Sequence, residues 1–123
     1  MEIYTSYYKK LEKFGSEYTC VQVSNTKPGW FPWTTFELKE IYPKWELVNG
    51  IKQGLITREE YIERYKDQLA RVNRGRIIDI LEDLSNTYDD KPIVLLCYEN
   101  KSGFCHRHIL ASWLGLGITE LEV

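Results

Sequence analysis

Between residues 97 and 108 the chain gathers two of its three cysteines, Cys97 and Cys105, and both of its histidines, His106 and His108. Glu99, Arg107 and the loop-formers Ser102 and Gly103 share the same stretch. These residue types support three kinds of chemistry. A helix beginning near residue 105 would present free backbone amides to an anion, and Arg107 would add a bidentate contact. Basic groups at a helix start oppose the helix dipole unless something negative lies close by, which favours a bound phosphate, nucleotide or carboxylate. The same field favours a thiolate at Cys105, or at Cys97 if it faces the loop, with His106 as acid or base: the equipment of a thiol-dependent transferase or hydrolase. Third, Cys97, Cys105 and His108 supply three zinc ligands with one position open for water, on which Glu99 would act. Against all three stands a plain structural role, in which Cys97 ends a buried strand, Glu99 pairs with Arg107 and the histidines lie on a wet helix face. The clustering favours a site.

The elements around this stretch must position it. Pro92 precedes the apolar run 93–96, which suits a central strand buried on both faces, and residues 106–114 carry Ile109, Leu110, Trp113 and Leu114 at helical spacing, with Gly115 or Gly117 as the stop. A ligand site is expected where such a strand leads through a loop into a helix. Upstream, residues 3–7 and 18–24 read as strands flanking a helix-like 8–14 that Gly15 stops, with Cys20 as a buried apolar side chain. Pro43 opens a helix that runs toward Gly54. Thr57 and Glu60 form a capping box for the helix carrying Tyr61, Tyr65, Leu69 and Val72, and a further helix follows Asn73 and ends near residues 88–90. Residues 118–123 read as a last strand. This order predicts a small three-layer α/β domain over residues 1–123, with a mostly parallel sheet and a helical insert.

Residues 26–42 form a long loop containing Trp30, Phe31, Trp33 and Phe36, too much aromatic surface for a solvated linker. Trp30, Trp33 or Trp45 offers a stacking surface for a base or sugar, with Lys27, Lys39 or Lys44 available for phosphates. The same loop would alternatively serve a protein-interaction module, and its aromatics make a homodimer plausible.

Composition narrows the classes. A net charge of −2 argues against nonspecific nucleic-acid binding, and 43% hydrophobic with 28% charged residues marks an ordinary globular chain. No apolar run approaches the length of a membrane span, and the first residues lack the pattern of a signal peptide, so a cytoplasmic protein is expected. Three cysteines in that compartment argue against a disulfide framework and for free thiols or metal ligands.

Residues 94–99 (VLLCYE), 104–108 (FCHRH) and 110–114 (LASWL) resemble the signature of the bacterial, archaeal and phage family called domain of unknown function 488. The likeness extends to residues 3–7, 42–45 and 60–65, and the compact form with a Trp-rich loop is similar to short phage members. The resemblance implies an intracellular α/β domain and singles out Cys97, Glu99, Cys105, His106 and Arg107 as signature positions. The reading that follows is a small protein binding an anionic, nucleotide-like or phosphate ligand through Ser102, Gly103 and Arg107, with Trp30 or Trp33 covering it. No cofactor is required for that reading. The alternative is a thiol- or zinc-dependent enzyme using Cys97, Glu99, Cys105 and His106.

Overall fold

The computed structural model describes residues 1–98 and 106–122. Five strands form one all-parallel sheet in the order β3-β2-β4-β1-β5. They are β1 (Ile3–Tyr7), β2 (Thr19–Gln22), β3 (Phe36–Glu37), β4 (Ile93–Cys97) and β5 (Thr119–Glu120). The expected α/β architecture is therefore present, with β4 at the centre. Every residue of β4 is buried, which explains its unbroken apolar sequence: a central strand with both faces covered has no wet side on which to alternate.

Pleating divides the core in two. On one face Ile3, Val21, Val23, Ile93, Leu95 and Cys97 pack under a layer of helices, α2 (Trp45–Lys52), α3 (Arg58–Ala70), α4 (Arg74–Thr87) and α5 (Arg107–Leu114). On the other, Cys20, Val94 and Leu96 meet the short α1 (Tyr8–Leu11), Phe31 and Trp33. The third layer is thus one helical turn and the aromatic loop. Trp33 seals it: its indole Nε1 donates to the Glu12 carbonyl at 2.8 Å, and its ring lies so close over Gly15 that a Cβ there would meet it at 2.1 Å.

Local signals set the helix ends. Thr57 Oγ1 accepts from the Glu60 amide at 3.1 Å and Glu60 reaches back to the Thr57 amide, completing the capping box. Asn73 accepts from the Arg76 amide to start α4. α5 stops at Gly115, whose φ of +67° lies in the left-handed region, and Arg74 from α4 donates to the last carbonyls of α5 at Trp113 and Leu114. Three elements are shorter than the sequence suggests. α1 ends at Leu11, β2 at Gln22, and β5 is two residues long. The aromatic stretch contributes the equally short β3.

The connections fix where a ligand can enter. α1 carries the chain from β1 to β2 across one face, while α2–α4 and then α5 carry it the opposite way across the other. Beyond the sheet, β2 therefore leads toward β3 and the neighbouring β4 leads toward β5. Two adjacent strands whose continuations diverge leave a crevice at their carboxyl ends. Among the described residues no helix is long and apolar enough to cross a membrane.

Candidate functional site

Beyond the carboxyl ends of β2 and β4 lies a cleft of about 400 Å³. One wall is the turn after β2, with Ser24, Asn25 and Thr26. The other is Pro43 and the face of α2 bearing Trp45, Val48, Ile51 and Lys52, while Tyr61, Tyr98 and His106 complete the lining. Asn25 joins the walls by donating from Nδ2 to the Pro43 carbonyl at 2.8 Å. Ser24 Oγ gives its proton to the Thr26 carbonyl at 2.6 Å, so the 3.0 Å contact with Tyr8 has the phenol as donor. Burial holds the Tyr8 pKa well above the ordinary phenol value, and its ring meets Tyr98 edge-on at 5.5 Å. This wall is pre-formed by hydrogen bonds that do not depend on a ligand.

His106 sits directly before α5 and is buried. Its Nε2 lies 2.6 Å from the Val23 carbonyl, the first residue past β2, and Tyr65 packs edge-on against the ring at 5.5 Å. Burial lowers the His106 pKa to about 4; the Val23 hydrogen bond opposes that shift and the Arg107 cation adds to it. The ring is therefore neutral at physiological pH. A neutral imidazole facing a carbonyl through Nε2 carries its proton there, which makes Nδ1 an acceptor.

Arg107 turns the other way. Its side chain is 0% exposed. Nε and Nη2 make a fork on Glu120 of β5 at 3.0 and 2.9 Å, Nη1 approaches Cys97 Sγ at 3.1 Å, and the guanidinium lies 5.7 Å from the centre of the Tyr7 ring. Thr5 Oγ1 donates to the same carboxylate at 2.7 Å. Burial alone would raise the Glu120 pKa, but the hydrogen bonds from Arg107 and Thr5 and the nearby cation bring it below the usual carboxylate value. The bidentate geometry expected for a bound anion is thus directed at an internal carboxylate. The basic residue at the start of α5 has its compensating charge on the last strand, a partner that local spacing does not reveal.

Cys97 ends β4, fully buried, and its sulfur is in a disulfide, whereas Cys20 is a free, buried thiol. The expectation of free thiols fails for Cys97, because compartment chemistry argues about cysteine frameworks in general and not about one sulfur at a strand end. In this oxidised form Cys97 carries no thiolate, and a role as nucleophile or metal ligand requires its reduction first. Burial pushes the Cys20 thiol up to about 11. Glu99, Ser102, Gly103 and Cys105 lie outside the described residues. Among the described residues no cluster of three or more His, Cys, Asp or Glu is placed to hold a metal ion. His108 is exposed and lines a separate groove with Thr5 and Glu120, away from the cleft lining that includes His106.

The tryptophans also separate. Trp33 is the plug described above; Trp30 is half-exposed against Phe31 and Lys9, and neither lines the cleft. Trp45 does. Lys27 donates to the Trp33 carbonyl and Lys39 pairs with Glu37; among the described residues the cation in the cleft lining is Lys52. Lys52 and Glu120 escaped the sequence reading. The helical spacing of Lys52 from Trp45 was the available signal for the first.

Taken together, the fold and cleft define a parallel α/β domain with a ligand-sized crevice at the carboxyl ends of its central strands. A family model described as the active DUF488-N3 subclade, DUF488-N3a, matches residues 8–116, and the chain belongs to the DUF488 family. No curated protein and no solved structure matches it.

Proposed function

We propose that this protein binds an anionic, nucleotide-like small molecule in the cleft beyond β2 and β4. The observation that carries the reading is the character of the lining: a lysine, an exposed tryptophan, hydroxyl and amide groups, and no carboxylate among the described residues. Such a cleft attracts negative charge, offers a flat apolar surface, and sits where open parallel sheets receive ligands. This reading moves the ligand contacts from Arg107 and Trp30 or Trp33 to Lys52 and Trp45. His106 lines the same cleft as a neutral ring beside such a molecule.

Calorimetric titration of the purified chain with AMP, ADP and UDP tests the proposal. Saturable binding of at least one of them is expected, and Val48→Trp, which fills the cleft from α2, should abolish it. Absence of binding by all three refutes the reading, and so does binding that survives the filled cleft.

A further inference from the structure

α2 lines the cleft with one face along its whole length. Trp45 stands in its first turn, Val48 and Ile51 follow, and Lys52 is its last residue. The spacing of Trp45, Val48 and Lys52 is i, i+3, i+7, which keeps all three on one stripe. Seven residues of helix separate the indole from the ammonium by roughly 10 Å along the axis.

Both ends of this stripe are uncommitted. The Trp45 side chain belongs to a residue that is 60% exposed, on a fold that buries its other cleft-wall apolar groups more deeply. Lys52 is exposed and pairs with no carboxylate among the described residues. An exposed indole at one end and an unpaired cation at the other, with apolar side chains between them, form a template for an elongated ligand. Its two recognisable parts are a planar ring and an anionic group about one helix length apart. The opposite wall, with Asn25 and Thr26, faces the middle of such a molecule with amide and hydroxyl groups.

Resting on the cleft reading above, we infer that α2 measures its ligand: Trp45 stacks on a nucleobase and Lys52 takes the second phosphate of a nucleoside diphosphate or of a compound built on one. A monophosphate ends one phosphate short of Lys52. The free base or nucleoside reaches only Trp45, and pyrophosphate alone reaches only Lys52. Trp45 is the specificity residue for the ring and Lys52 the residue that reads length.

The test is calorimetric titration of wild type, Trp45→Ala and Lys52→Gln with ADP, UDP, AMP and pyrophosphate. Both substitutions fall at exposed positions, and circular dichroism checks that the variants fold. In wild type the diphosphates should bind at least roughly tenfold tighter than AMP. Trp45→Ala should weaken every nucleotide by roughly tenfold or more, the scale of one base stacking on one aromatic ring, and leave pyrophosphate unchanged. Lys52→Gln should remove most of the preference for diphosphates while leaving AMP nearly untouched. Nucleotide binding in which AMP equals ADP, or to which both variants are indifferent, overturns the measuring role and leaves the cleft reading standing. No binding of any nucleotide overturns both.

Discussion

Two regions meet at the start of α5, and consecutive residues serve them. His106 faces the cleft between β2 and α2, while Arg107 is locked under Glu120, Thr5 and Tyr7 at the far edge of the sheet. The locked region contains the fully buried arginine and a carboxylate held to it by two hydrogen bonds. Among the described residues the open region has one cation, neutral polar groups and an exposed indole. The difference teaches that strong charge in a signature segment need not mark the ligand contact. A buried guanidinium demands a partner permanently, because removing it from water costs several kcal/mol, so it belongs to the frame; a ligand that comes and goes is better served by groups that tolerate solvent in its absence.

The comparison breaks most visibly at Glu120. Glu120→Ala leaves Arg107 buried beside an empty position and should cost about 3 to 5 kcal/mol, read as a lower denaturant midpoint. Ligand affinity of the molecules that remain folded should hardly change. A fall in affinity with unchanged stability would reverse the assignment of frame and site.

Next in size is the acid response. The unfolded chain has an ordinary histidine near 6.5, and the folded chain holds His106 at about 4. Between these values the unfolded state binds the extra proton. The stability associated with neutral His106 is therefore fully present above pH 6.5 and is lost as pH falls toward 4, by about 3 kcal/mol in all. Glu120 acts in a lower window: with its pKa depressed, its contribution persists down to about its ordinary value of 4.5 and is lost below it. Denaturation measured from pH 7.5 to 4 should show the first slope in wild type and a flatter one in His106→Gln.

A smaller effect tests whether the cleft floor tolerates a looser frame. Thr57→Ala removes the cap of α3, the helix that carries Tyr61 and Tyr65, and should cost about 1 kcal/mol without altering affinity. The smallest change in stability is expected for Trp45→Ala, within about 0.5 kcal/mol, since the side chain is largely in solvent. There the consequence should appear in binding alone, the converse of Glu120.

How much of this was legible in the sequence follows the range of the interactions. β1 is found at residues 3–7 as read, and the capping box at Thr57 and Glu60 was visible because each is decided within a few residues; the sequence offers Gly115 or Gly117 as the stop of α5, and the helix ends at Gly115. β4 was recognised by its unbroken apolar run, and the family from the segment around it. The partner of Arg107 was not legible, because Glu120 lies 13 residues away on an edge strand and only the closed sheet brings it near. Nor could spacing say which tryptophan faces a ligand. Trp33 is consumed by a contact with Gly15 across a turn, and Trp45 is left over only because α2 stands at the diverging pair of strands. Asp89 and Asp90, both with φ near +57°, likewise adopt a turn that no periodicity announces.

The brevity of the outer strands has a consequence for life at high concentration. β3 and β5 are each two residues long, so each border of the sheet exposes too little extended backbone for another chain to continue it. On β5 one of those two residues is Glu120, whose charge is turned inward onto Arg107, and a second molecule adding there would have to pass the same carboxylate. The ion pair that holds α5 in place thus also protects an all-parallel sheet from growing into a fibre.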